Sequence, residues 1–176
     1  MSLIKKLFGG NTPQPATVER YGRIVARARE PGFYAQFMVP DSPEGRFDLL
    51  TLHAFLVMEA LSRTHPEEAQ ELFDLMFDDM EVNLRELGAS DIRIGARVKK
   101  LAQGFFGRSQ AYRQALEAND AAALIAALDR NLFAAAKADP GHLALLADYV
   151  LLAWTRPETA QAQFPPPPFA QTQVSP

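Results

Sequence analysis

Arg46–Arg63 reads RFDLLTLHAFLVMEALSR, and its spacing decides the class of fold. Successive residues of a helix lie about 100° apart. Phe47, Leu50, Ala54, Val57, Met58 and Leu61 then share one side, while Leu49, Leu52, Leu56 and Ala60 cover another. Only a narrow strip of Asp48, Thr51, Glu59 and Ser62 is polar. A helix apolar over so much of its surface belongs inside a core.

The flanking segments carry the same period. Thr64 or His65 precedes Pro66 at a helix start, and the pattern runs on to Leu87 with Gly88 as its stop. Ala69, Phe73, Met76, Met80, Leu84 and Leu87 make its apolar stripe. Glu67, Glu71, Asp74, Asp78 and Glu81 make the opposite face, which reads as solvated; Leu75 and Val82, one heptad apart, interrupt it. Upstream, Thr17 is placed to cap a helix over Val18–Arg29, stopped by Pro31-Gly32. Downstream, Ser90 or Asp91 starts a helix with Ile94, Val98, Leu101 and Phe105 inward and Arg93, Arg97, Lys100 and Arg108 on its other side. Gly104 lies among those bases, and Gly107 is expected to bend or break the helix before Ser109–Ala118. Asp120 caps an alanine-rich helix to about Ala136, and Pro140 opens a last one, apolar from His142 to Trp154 except at Asp148.

Composition agrees. The chain has 176 residues, 48% of them hydrophobic, and alanine and leucine outnumber valine, isoleucine and threonine more than two to one. The expected architecture is all-α, a single-domain bundle of six or seven helices with a long aromatic loop and a disordered proline-rich tail. Its segments are a flexible start (1–16), the helical domain (17–156) and the tail (157–176). Pro165–Pro168 reads as solvated polyproline. MSLIKKLF at the start carries two lysines and no long apolar run, so it reads as a frayed end with at most weak affinity for an anionic membrane. No stretch is long and apolar enough to span a bilayer, so a cytoplasmic protein, with peripheral contact at the inner membrane as the alternative, is expected.

Catalytic patterns are scarce. With no cysteine, disulfides, thiol catalysis and cysteine-ligated metals are excluded. His53, His65 and His142 share no metal-ligand spacing, and His53 reads as a hydrogen-bonded core histidine. No phosphate-binding glycine loop or nucleophile elbow occurs. The acids of 74–81 lack the histidine partners of a di-iron bundle. No cofactor or metal and no enzymatic activity are expected. A net charge of −3 excludes a protein devoted to wrapping nucleic acid, DNA included.

Charge is nonetheless segregated. Residues 67–91 hold nine acids and one base, whereas 92–113 hold six bases and no acid. Two neighbouring helices of opposite sign either attract one another or show two faces to two partners, the basic one suited to phosphates of RNA or lipid. The loop at 33–45 stands out in another way, with Phe33, Tyr34 and Phe37 followed by Pro40, Pro43 and Gly45. Loops this apolar pack on something, either the bundle as a lid or a partner. In the lid reading Asp41 and Asp48 are caps or partners of Arg46.

The order Tyr21-Gly22-Arg23-Ile24-Val25, Phe33-Tyr34, Val39-Pro40-Asp41-Ser42, Gly45-Arg46-Phe47-Asp48-Leu49-Leu50 and Leu52-His53 resembles the ubiquinol–cytochrome c chaperone family. Leu72-Phe73-Asp74, Leu84-Arg85-Glu86-Leu87-Gly88 and Phe105-Phe106-Gly107-Arg108 continue the likeness, which spans about 20–155. The resemblance implies a helical, non-enzymatic assembly factor for ubiquinol–cytochrome c reductase, respiratory complex III. Its client would be newly made cytochrome b or a similar membrane subunit, with the ribosome and a small helical protein as further partners. The long N-terminal membrane segment of mitochondrial members is not evident here.

For such a chaperone the expected partner-binding residues are Phe33, Tyr34, Phe37, Asp41, Arg46, Phe47 and Asp48 around the aromatic loop. Arg93, Arg97, Lys100, Arg108 and Tyr112 of the basic helix complete the set. Two other readings stay open. One is a helical small-molecule or lipid-binding protein, enzymatic or not, with loop 33–48 as lid and His53 or Asp48 as its polar group; it requires an enclosed pocket of roughly 300 Å³ or more. The other is a scaffold docking through Leu75 and Val82.

Overall fold

In the computed structural model, residues 12–86, 91–134, 136 and 138–171 are described. Seven α-helices follow one another among them: α1 (Pro15–Ala28), α2 (Pro31–Ala35), α3 (Pro43–Ser62), α4 (Pro66–Glu86), α5 (Asp91–Glu117), α6 (Ala121–Leu132) and α7 (Pro140–Thr155). Two short 3₁₀ turns, Pro157–Gln161 and Pro168–Gln171, end the chain. No strand occurs among the described residues.

α3 is the helix that decides the fold. Leu49, Leu52, Ala54, Phe55, Leu56, Val57 and Leu61 are all essentially without solvent contact, and α1, α4, α5, α6, α7 and the first 3₁₀ turn each touch α3. It divides its apolar surface between two core clusters. Leu49, Leu52, Phe55 and Leu56 pack with Phe33 and Phe37 and with Tyr112, Leu128 and Val150 from α5, α6 and α7. Ala54, Val57, Met58 and Leu61 pack with Ile24, Met76, Phe77, Ile94 and Phe105 from α1, α4 and α5. Its polar strip is not a solvent face: Thr51 is fully buried, Asp48 is buried, and Glu59 is ion-paired with Arg113.

Helix ends follow the expected chemistry with shifted positions. Ser42 caps α3 through Gly45 N–H (3.2 Å), so α3 starts at Pro43 and shortens the aromatic loop from its far side. A Cβ on Gly45 would lie 2.0 Å from the Pro40 carbonyl oxygen, so the chain turns into α3 only with glycine there. Phe33 and Tyr34 lie in α2 rather than in a loop. Asp120 and Asp139 cap α6 and α7. α6 ends at Leu132, short of Ala136. Thr17 is no cap: α1 starts at Pro15, and the buried Thr17 hydroxyl donates to Glu71. Gly107 breaks nothing, because α5 is continuous from Asp91 to Glu117. The expectations for Met1–Gly10, for Leu87, Gly88 and Ser90, and for residues 172–176 lie outside the described residues.

His53 is a core histidine, as its position on α3 implies. Its Nδ1–H donates to the Leu49 carbonyl (2.8 Å) and its Nε2 accepts from the Tyr149 hydroxyl (3.0 Å). Burial lowers its pKa to about 4, so the ring is neutral at pH 7.

The segment after Arg156 departs most from expectation. A solvated tail was expected, yet residues 157–169 line the core. Thr159 donates to the Ala153 carbonyl (2.7 Å) at the end of α7. Phe164 stands edge-on to His53 (5.0 Å between centroids) with Arg27 over its ring, and Phe169 stands edge-on to Phe33 (5.3 Å). A Cβ on Gly32 would lie 2.5 Å from the Phe169 ring, so this glycine admits the phenylalanine. Polyproline backbone needs no partner strand, but its phenylalanines have apolar area to bury. Phe164→Ala and Phe169→Ala are each expected to lower unfolding free energy by about 2 kcal/mol in urea titrations with helix content unchanged. Wild-type midpoints in both variants would show that the segment contributes nothing to the core.

Candidate functional site

α4 and α5 run side by side over α3, and each carries a pair of phenylalanines. Phe73 and Phe77 are one helical turn apart on α4; Phe105 and Phe106 are adjacent on α5. Phe73 lies 5.6 Å from Phe105 and is stacked on Phe106 at 5.4 Å, and Phe77 meets Phe105 edge-on at 6.1 Å. Small residues beside these rings, Ala69 on α4 and Gly95 and Ala102 on α5, leave space above Phe55 and Met58 of α3. The result is an apolar groove of about 830 Å³ that opens at Phe106, whose ring is 59% exposed.

The polar groups of the groove stand at its margins. Arg113 grips Glu59 through both carboxylate oxygens, its Nε 3.0 Å from Oε2. Gln70 donates to Asp74 (2.8 Å), and Lys99 is exposed on α5. Ser109 lines the wall with a buried hydroxyl. No group of three or more His, Asp or Glu side chains placed to hold a metal occurs among the described residues.

The expected site residues are placed differently. Phe33 and Phe37 are fully buried in the core and offer no ring to a partner, while the half-buried Tyr34 donates its hydroxyl to the Ala28 carbonyl (2.7 Å). Tyr112 is fully buried beside Phe55. Asp41 and Arg46 form an exposed ion pair (2.7 Å), and Arg46 holds the Asp41 carboxyl below its usual range. Asp48 does not pair with Arg46; its partner is Arg108 of α5 at 2.7 Å, whose guanidinium also lies over Phe47. Arg93, Arg97 and Lys100 are exposed along α5. The groove lies between α3, α4 and α5, and no residue of loop 33–48 lines it.

Two charged features follow from tertiary packing. The acids of α4 are not simply solvated, because α1 lies against them. Glu71 accepts from Gln14 N–H (2.9 Å) and Thr17, Glu68 pairs with the buried Arg20 (2.8 Å), and Asp79 accepts from Tyr21 (2.8 Å). Glu81 is buried beside Arg85. Leu75 is half-buried and Val82 is exposed. Gly104, among the bases of α5, is crossed by Arg108 of its own helix: a Cβ there would lie 2.7 Å from Arg108 Nη1. Burial raises the Asp48 carboxyl to about 6, and Arg108 opposes that shift.

Sequence reasoning did not assign the groove. Its signal was present as two phenylalanine pairs on consecutive helices with small residues at helical spacing from them. Phe106 was passed over because it falls outside the inward stripe of α5.

These features define a helical bundle with an open apolar channel. The family model for the ubiquinol-cytochrome C chaperone matches residues 35–158. The crystal structure of the Cbp3 homolog from Brucella abortus is 40% identical and superimposes with a TM-score of 0.73, over 86% of this chain and 88% of that one. A comparison with curated proteins gave no match. The chain belongs to the ubiquinol–cytochrome c chaperone family.

The Asp48–Arg108 pair gives a direct test of the α3–α5 contact. Arg108→Ala leaves a buried carboxylate without its cation and is expected to cost about 3 kcal/mol at pH 7.5. A carboxyl whose folded pKa is raised favours the native state at low pH, where it is neutral. The deficit should therefore shrink between pH 7 and pH 5 in denaturant titrations; a deficit independent of pH would show that Asp48 stays ionised.

Proposed function

We propose that the α3–α4–α5 groove holds an apolar helical segment of a newly made membrane subunit of ubiquinol–cytochrome c reductase, with cytochrome b as the client. Family membership supports the assembly-factor role, and the groove supports the mode of binding. From Gly95 to Arg113 it follows about 27 Å of α5 at 1.5 Å per residue. That length is close to the roughly 30 Å hydrocarbon thickness that a membrane helix must match. An amphipathic or apolar helix laid in such a groove buries one face and needs no chemistry from its host. No helix long and apolar enough to cross a membrane occurs among the described residues.

Arg97 and Lys100, exposed on the same helix, would meet the anionic surroundings of a nascent chain, ribosomal RNA or lipid headgroups. A small helical partner protein is compatible with the exposed Val82 region of α4. An apolar small molecule is the second reading, because the groove volume falls within the range of ligand sites, roughly 300–1,000 Å³.

A photoreactive phenylalanine analogue at Phe106, with Val18 on α1 as the exposed control position, tests the client reading in cells making the reductase. Cytochrome b cross-linked from 106 and not from 18, and lost in a Phe105→Asp variant of unchanged helicity, is the expected result. Cross-links only to lipid, or equal yields from both positions, would overturn it.

A further inference from the structure

Phe73 from α4 and Phe106 from α5 are stacked with centroids 5.4 Å apart, so their rings join the two walls where an incoming helix would lie. A helix laid along the groove from Gly95 to Arg113 would run past this stacked pair.

α5 is built unevenly about this point. Its first half supplies Ile94, Val98 and Phe105 to one core cluster, and its second half supplies Tyr112, Ala115 and Leu116 to the other. The changeover falls between Phe105 and Tyr112, and glycines stand at 104 and 107. Glycine is the weakest helix former after proline. Gly104 has a packing reason, since Arg108 folds back across it to reach Asp48. Gly107 has none: a Cβ there would meet nothing within 4 Å. The ion pair then holds the second half of α5 on α3 from the residue directly after Gly107.

We propose that α5 bends at Gly104–Gly107 to part Phe106 from Phe73 and admit a helical client, the Arg108–Asp48 pair fixing its second half meanwhile. This rests on the groove being the client site and adds how that site opens. A rigid helix would keep the two rings in contact. A helix softened at the boundary of two core clusters bends there without disturbing the cluster that holds Tyr112, Ala115 and Leu116.

The test reads the free protein first. Amides of Arg108–Ala111 bond to the carbonyls of Gly104–Gly107 in a continuous helix. They are expected to exchange hydrogen about tenfold faster than those of Val98–Ala102 and Tyr112–Leu116. Gly107→Ala should bring the three groups within a few fold of one another and raise the thermal midpoint. Binding of a fluorescent, lysine-flanked leucine–alanine peptide of about 20 residues should weaken about fivefold in Gly107→Ala, a loss of about 1 kcal/mol. Uniform exchange along α5, or equal peptide affinity for wild type and Gly107→Ala, overturns the proposal. A peptide that binds neither protein overturns the client reading instead, and the exchange pattern alone then decides the bend.

Discussion

A helix without a solvent face must be enclosed, and that constraint organises the molecule. α3 presents leucine, phenylalanine, valine and alanine around nearly its whole circumference, each worth roughly 1.5–3 kcal/mol when a large side chain leaves water. Other helices have to supply the enclosure, and the two core clusters are the two halves of it. Residues opposite one another on α3 fall into different clusters, so α3 joins the α1–α4 side of the bundle to the α6–α7 side. The polar residues it carries are then forced inward with it. Asp48 acquires Arg108, Glu59 acquires Arg113, and His53 acquires Tyr149. Each pairing is a consequence of burial, because an unpaired polar group inside would cost more than the pair returns.

Charge segregation between α4 and α5 is likewise resolved by packing. The acids of α4 look like a solvated face when that helix is read alone. α1 carries Arg20, Tyr21 and Thr17 at a helical period that brings all three to one side, and this side settles on Glu68, Asp79 and Glu71. Part of the acidic helix thus receives its partners from the chain's first described helix. Arg97 and Lys100 of α5 lie exposed at the surface.

How much of this is legible in the sequence follows from what each feature depends on. The helices are local: hydrophobic period, proline starts and the caps Asp120 and Asp139 are written within a few residues of where they act. Gly107 misled because glycine lowers helix propensity by only about 1 kcal/mol, less than burying Ile94, Phe105 and Tyr112 on one continuous helix returns. Phe33 and Phe37 misled because the connecting segment fills the core as readily as a long helix does: Phe33 lies in the short α2 and Phe37 just after it, and both are buried. The 157–169 strap was invisible because proline dictates backbone shape and says nothing of the phenylalanines between. The Gly32–Phe169 contact joins residues 137 positions apart and has no local signature.

The groove acquires its meaning from that strap. A chain with apolar surface left over and no segment to cover it would expose phenylalanines by default. This chain has such a segment, with Phe164 and Phe169 available to it, and it lays both rings against His53, Phe33 and Phe37. Phe73 and Phe106 stack on one another across the α4–α5 boundary, and small residues at 69, 95 and 102 line the space beside them. Replacing alanine by leucine at two of these positions would fill the groove by the ordinary means through which cores reach native density. An apolar channel lined by small residues, in a protein that covers its other aromatic faces, is what the proposed client site requires.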